Sequence, residues 1–400
     1  MRLVSSCFGL ARHARHKCRA AKPIARGLQR LRGAVMHGSY PTSVAGGGIC
    51  VKLLSIALAA FLLSVAPGKH ALGLEPRRMG QEAMLSQAIF ADGRLWMLSD
   101  AGVLSSVAEG ESQRSEIILP EPVRKLWVHD GHPAILSCDP TECREWTIRI
   151  WQNGDWKIKT KIPVQGEQVL DVVSHGPEMT VLTSKRIMDV VGDGWKSVDL
   201  SVPLHAAGVT AIVSDSIFLG FNAGEWGGGL KRIDRASGEI SNVEKNTSGE
   251  LCGGPLNTQC DPVNAVAAHP WKENCAIAAV GLVHMGHPSG RIVEICGSEV
   301  QVLYSKPYFR ANSSMPTGGI SGEVAFYGLA RRGDALVAAG MDGLYFIERS
   351  GDARIATPPP FKEFNGVYVS FDLPDVVLVL TNINQRRAVT GAAPMLVPRL

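Results

Sequence analysis

The first 74 residues contain no Asp or Glu, against eleven Lys and Arg. This absence accounts for the charge of the whole 400-residue chain: its net +4 becomes 30 basic against 37 acidic residues, a balance of −7, once that segment is set aside. A polyphosphate partner is held by a surplus of Lys and Arg. The body of the chain has no such surplus, so no nucleic-acid partner is expected.

No apolar run approaches the roughly 20 residues of a membrane-spanning helix. Leu53 to Ala66 is apolar or small throughout, with Lys52 before it and Pro67-Gly68 ending it. Its length fits the core of a secretory signal, about 7 to 15 residues. Ala71 and Gly73 put small residues at positions −3 and −1 of a cleavage site, and no Cys follows to accept a lipid. The expectation is a signal peptide over 51–73 and an exported mature chain, periplasmic or secreted, that starts near Leu74 and has no membrane span. Residues 1–50 are Arg-rich and without apolar periodicity, and they read as an upstream leader lying ahead of the true start. Val51, from an alternative initiator codon, or Met36 would be that start. A transit peptide also fits the Arg content but leaves the later apolar run unexplained.

Catalytic and metal signatures are missing as well. There is no G-x-S-x-G, no H-E-x-x-H and no phosphate-binding Gly-Lys loop. No C-x2-C spacing occurs and no His stands at finger spacing, which argues against zinc, and neither a metal nor a cofactor is expected. Of nine cysteines, Cys7, Cys18 and Cys50 lie in the leader. The other six form three pairs local in sequence, Cys138 with Cys143, Cys252 with Cys260 and Cys275 with Cys296, and export makes disulfides the default.

Helical periodicity is also absent: no stretch of about ten residues beyond residue 86 shows a 3.6 period. What recurs is a short apolar run, a polar turn, a second apolar run, a variable loop, and two further runs joined by a turn with Gly. The second run begins at Asp92-Gly93-Arg94-Leu95-Trp96, at Asp215-Ser216-Ile217-Phe218, at Asp334-Ala335-Leu336-Val337 and at Asp375-Val376-Val377-Leu378, among seven copies. The later turn glycines are Gly110, Gly154, Gly194, Gly238, Gly297, Gly351 and Gly391, spaced 40 to 59 apart. Gly accepts the positive φ of tight hairpin turns, so each unit reads as a four-stranded antiparallel meander. One meander cannot cover both its apolar faces, whereas radial stacking buries both.

At this level the chain resembles β-propellers over residues 84 to 398, without a Trp-Asp repeat, kelch glycines or an Asp-box. The resemblance implies an all-β, seven-bladed propeller of four-stranded meanders, one domain over 74–400, with blade boundaries near 121, 165, 207, 262, 322 and 364. The ends should close by packing, Gln87 to Phe90 supplying the first strand of blade one and Pro394 to Val397 the last strand of blade seven. A sandwich or β-helix fits the unit length and regularity less well.

In such a fold the second-to-third loops and the connections between blades share one face. Blades four and five carry the long excursions there: 222–229, 244–261, 284–290 and 305–323. Asn222 to Gly229 holds four glycines around Glu225 and Trp226, a platform of amides, carboxylate and ring for a sugar or a cation. His284 and His287 are expected beside it, where with Glu225 they could hold a metal or do acid–base work. Tyr308, Arg310 and Asn312 would complete an anion-binding rim. Asn246-Thr247-Ser248 and Asn312-Ser313-Ser314 match glycosylation acceptors. Two functions follow: an exported binding or scaffold protein for a small molecule, glycan or protein, or a propeller hydrolase or lyase acting on a small or glycan substrate with Glu225, His284 and His287.

Overall fold

The computed structural model describes residues 85–398 except 140–141, 247–248, 312–318, 333, 358–366, 373–375 and 382–392. The signal peptide, the leader and the residue pairs 247–248 and 313–314 of the two glycosylation motifs, with Asn312, lie outside the described residues.

The first blade is β1 (Leu85–Ala91), β2 (Arg94–Ser99), β3 (Leu104–Ala108) and β4 (Ser115–Ile117). The second is β5 (Val123–His129), β6 (His132–Cys138), β7 (Glu145–Gln152) and β8 (Asp155–Pro163). The third is β9 (Val169–His175), β10 (Glu178–Thr183), β11 (Arg186–Val191) and β12 (Gly194–Asp199). The fourth is β13 (Val209–Val213), β14 (Ser216–Gly220), β15 (Leu230–Asp234) and β16 (Ile240–Val243). The fifth is β17 (Val263–Ala268), β18 (Cys275–His284), β19 (His287–Cys296) and β20 (Glu299–Tyr304). A separate hairpin follows, β21 (Pro307–Ala311) and β22 (Gly319–Glu323). The sixth blade is β23 (Phe326–Arg332), β24 (Ala335–Gly340), β25 (Gly343–Ile347) and β26 (Ala353–Ala356). The last sheet is β27 (Val367–Ser370), β28 (Val376–Thr381) and β29 (Ala393–Pro398).

The fold is therefore an all-β propeller of four-stranded antiparallel sheets, and the blade count differs from the expected seven. Six blades have four strands, and the last sheet has three. Ala393–Pro398, expected outermost, pairs directly with β28, Val376 opposite Pro398 and Thr381 opposite Ala393, and so takes the third position. Direct pairing leaves no lane for a strand between the two. Among the described residues no strand crosses between the two ends of the chain. The last sheet packs on the first blade through Tyr368 and Leu378 against Ala88 and Phe90, and the Tyr368 hydroxyl donates to the Ala88 carbonyl at 3.2 Å.

Middle strands such as β14 and β25 are buried at every residue, because both of their faces meet a neighbouring blade. This is why they read as unbroken apolar runs with no alternation. Each interface has its own cluster, for example Leu136, Ile148 and Ile162 of the second blade with Val181 and Met188 of the third. Burying a side chain of this size stabilises by about 1.5 to 3 kcal/mol. Ion pairs tie some elements together: the buried Arg186 grips Glu167 within the third blade, and the partly buried Arg235 of the fourth blade reaches Asp189 of the third at 3.0 Å.

Candidate functional site

The long excursions of blades four and five do lie on one face, but two of them are regular structure. The 284–290 segment is the end of a hairpin. Strands β18 and β19, ten residues each, run out to a two-residue turn, Met285-Gly286, with φ of 49° and 84°. His284 and His287 are the last cross-strand pair. At the base of the same ladder Cys275 stands opposite Cys296, and the two are joined with their Cα atoms 4.5 Å apart. The 305–323 segment, expected as a loop, contains the β21–β22 hairpin.

That second hairpin lies over the first. The paired Gly281 and Gly290 face the backbone of Val324 to Phe326, and a Cβ at either position would collide with that backbone. Gly322 comes equally close to the Pro288 carbonyl, and Gly286 lies 3.6 Å, from a Cβ placed on it, to Ile320 Cδ1. Glycine here is what lets two strand layers touch main chain to main chain.

On the other side of the extended hairpin sits the glycine-rich loop, whose residues 224–226 form one 3-10 turn. The expectation that its amides are free for a ligand is corrected: all four glycine amides are engaged. Gly224 N donates to Asn222 Oδ1 (2.8 Å), Gly227 N to Gly224 O (3.1 Å), Gly228 N to Thr258 O (3.0 Å) and Gly229 N to Asp261 O (2.9 Å). The glycines let this loop press on the neighbouring 258–261 segment. Asn222 is an anchor as well, since its Nδ2 donates to Asn264 Oδ1 at 2.5 Å, and Asn264 in turn donates to Gly281 O and Phe326 O.

The loop 244–261 is held by a Cys252–Cys260 disulfide and by Arg291 of β19, which donates to Pro255 O at 2.7 Å and to Asp261 Oδ2 at 2.5 Å. Burial pushes the Asp261 carboxyl above its ordinary range, although the Arg291 charge and the Asn257 amide pull it down.

The predicted site residues thus divide. Glu225 and His284 meet, Oε2 to Nδ1 3.0 Å, with both side chains about half exposed. His287 sits across the turn from His284. Tyr308 packs on the core between the fifth and sixth blades, while Arg310 is exposed. Trp226 stands free at 78% exposure, and it has company. Among the described residues, four of the five most exposed large apolar side chains are Met285 (85%), Trp226 (78%), Leu251 (78%) and Phe309 (68%), all on these excursions. Only Trp226 was singled out by sequence reasoning. A single Met, Leu or Phe in a polar loop gives no signal until the fold shows which of them stay exposed on one face.

Sequence reasoning also missed a cleft of about 400 Å³ on the opposite face, between the second and third blades, lined by His129, His132, Lys157, Lys159, Pro177 and Asp193. Several of its polar groups have partners, most of them outside the cleft lining. His132 meets Asp92 at 2.8 Å, His129 Nδ1 meets Ser174 Oγ at 3.0 Å, Lys157 meets Asp155 at 2.6 Å and Lys159 meets Asp193 at 3.4 Å. Among the described residues no group of three or more His, Cys, Asp or Glu is arranged to hold a metal ion.

No protein-family model and no curated protein matches the sequence. Among solved structures the chain is similar to YCF48 from Cyanidioschyzon merolae, at 12% identity over 80% of this chain and 96% of that one, TM-score 0.46. It is similar to YCF48 bound to D1 peptide at 12% identity over 80% and 92%, TM-score 0.44. The computationally designed Ika8 protein is similar at 11% identity over 80% and 98%, TM-score 0.43. Among the described residues no helix is long and apolar enough to cross a membrane.

Proposed function

We propose that this chain is an exported, non-catalytic binding protein that takes a polypeptide partner on the long-loop face of blades four and five. The observation that carries the reading is the exposure of Trp226, Leu251, Met285 and Phe309 on one face, on elements braced by two disulfides and the Arg291–Asp261 pair. Exposed apolar groups on a fixed frame mark an interaction surface. A glycan needs polar groups directed at its hydroxyls, and the glycine amides that could have supplied them are engaged. Met and Leu beside a Trp suit apolar side chains of a partner, with Met adapting its shape. Three disulfides support an oxidising compartment.

The hydrolase or lyase alternative rests on Glu225, His284 and His287. Among the described residues neither partner of the Glu225–His284 pair hydrogen-bonds to a hydroxyl, a thiol or a second carboxylate, so nothing activates or orients it as a catalytic base needs.

Short random peptides displayed on phage and selected on the full chain test the reading. The enriched peptides should lose about tenfold or more in affinity in Trp226→Ala and in Met285→Asp. Peptides indifferent to both substitutions would overturn it.

A further inference from the structure

Among the described residues the strand β21 presents an unpaired edge. Its neighbour on one side is β22, and among the described residues no strand pairs with its other side. The ladder phase shows which main-chain groups point that way. Val324 N donates to Lys306 O at 2.9 Å, which makes Lys306 and Val324 a hydrogen-bonded pair in the same register that puts Pro307 opposite Glu323 and Phe309 opposite Ser321. Antiparallel pairs alternate between bonded and non-bonded. Tyr308 and Arg310 are then bonded to β22, while Pro307, Phe309 and Ala311 turn their main-chain groups outward.

Three features bear on this edge, one of them a contrast with the outer strand of the second blade. Pro307 falls at an outward position, where its missing N–H breaks no bond within the hairpin. The outer strand β8 is guarded by Lys157, Lys159 and Lys161, charges of the kind that discourage strand pairing. By contrast, β21 has one charge, Arg310, and an exposed Phe309 in its centre. The hairpin is also fixed in place, its Gly322 packed on Pro288 and its Tyr308 on the core.

We propose that Pro307–Ala311 receives an extended polypeptide segment by strand addition, pairing with the outward carbonyls of Pro307 and Phe309 and the outward amides of Phe309 and Ala311. This rests on the reading of the long-loop face as a polypeptide-binding surface and names the conformation that the partner adopts there. The segment places an apolar side chain beside Phe309 and an acidic one beside Arg310, which makes no ion pair among the described residues. Main-chain bonds give the affinity, and alternate side chains give the specificity.

The test uses the selected peptides, resynthesised with one N-methyl group at each position in turn, against the full wild-type chain. Loss of about tenfold or more at every second position of the central segment, with little change between, is expected, since each methyl removes one donor. Phe309→Pro, which removes an outward amide, should weaken binding more than Phe309→Ala, which keeps it. A scan without alternation, or peptides that bind Phe309→Pro as well as wild type while still losing affinity in Trp226→Ala, would overturn strand addition and leave the surface reading standing. Peptides indifferent to Trp226→Ala, Met285→Asp and Phe309→Pro alike would overturn both.

Discussion

The long-loop and short-turn faces are built by the same repeat and carry the same H-x-x-H spacing, yet their surfaces are opposite in character. His129 and His132 flank the Asp130-Gly131 turn between β5 and β6, as His284 and His287 flank Met285-Gly286 between β18 and β19. In both places the spacing is the geometry of a two-residue hairpin turn, which leaves its flanking residues as the last cross-strand pair. What differs is the surroundings. On the short-turn face His132, Lys157 and Lys159 of the cleft each meet a carboxylate. On the long-loop face one His meets one Glu, and among polar residues such as Glu244, Glu250, Gln259 and Arg310 stand the exposed Trp226, Leu251, Met285 and Phe309. The cleft's ion pairs brace the joint between blades, whereas the long-loop face carries four of the five most exposed large apolar side chains among the described residues.

The most severe way to break this contrast is to remove an ion pair on each face. Arg291→Ala leaves the buried Asp261 with a desolvated carboxylate, and loss of one member of a buried pair costs about 3 to 5 kcal/mol. Lys159→Ala, on the cleft, removes an open pair and should cost under about 1 kcal/mol. Urea unfolding of both variants checks this. Equal losses would mean that the long-loop frame is no more rigid than the cleft.

The disulfides give a second, smaller contrast. In the chain-entropy model Cys275–Cys296, with a separation of 21, contributes about 3 kcal/mol, and Cys138–Cys143, with a separation of 5, about 2 kcal/mol. Paired Cys→Ala variants, compared by thermal unfolding, should rank in that order. The Cys275–Cys296 variant should also raise amide exchange between residues 280 and 290, at the outer end of the ladder it clamps.

How much of this was legible beforehand follows from which constraints are local. The turn glycines and the apolar runs placed blade starts within a few residues, since Val123, Val169, Val209, Val263, Phe326 and Val367 begin the first strands after the first blade. Hairpin counting alone put Cys275 opposite Cys296. The last sheet was misjudged because a sequence pattern lists strands in order and does not show that β29 pairs directly with β28. The site was half legible. Glu225 and His284 come together because two adjacent blades present them, whereas the engaged glycine amides depend on where 258–261 runs, a contact between segments that no local pattern encodes.

Acidification should separate buried networks from the surface. The amides of Trp271 and Lys272 donate to His269 Nδ1, so its proton sits on Nε2, 2.6 Å from Glu294. Burial holds the His269 imidazole below its ordinary range, against the pull of Glu294, and burial likewise lowers His129. Such groups contribute stability that is present above about pH 6.5 and is lost as pH falls through their folded values. Burial opposes ionisation of Glu294, but hydrogen bonds from Lys272 and Gln301 and the Lys272 charge outweigh it, so this carboxylate adds a further loss at lower pH. Asp261, raised by burial, acts in the reverse sense, its contribution present in acid and lost as pH rises through its folded value. Stability by denaturant unfolding should therefore fall from pH 7.5 to about pH 5 on account of the two histidines. A rise over that interval in an Asp261→Asn variant, which lacks the opposing carboxyl, would show that neither His is kept neutral by the fold.

The smallest effect is the most telling for function. Trp226 is large and apolar, and if it were a structural residue its removal would cost several kcal/mol, about 3 to 5 for a core Trp. It is 78% exposed, its loop is held by the engaged glycine amides and by Asn222, and no ring contact fixes the indole among the described residues. Trp226→Ala should therefore change unfolding free energy by no more than about 0.5 kcal/mol, the range for surface positions free of special contacts. A side chain that contributes so little to the fold while exposing so much apolar area is a liability unless a partner covers it, so unchanged stability combined with lost peptide binding is the signature of an interface residue. A destabilisation of about 2 kcal/mol or more would mean that the ring packs on its own blade, and the apolar surface would then lose its central anchor.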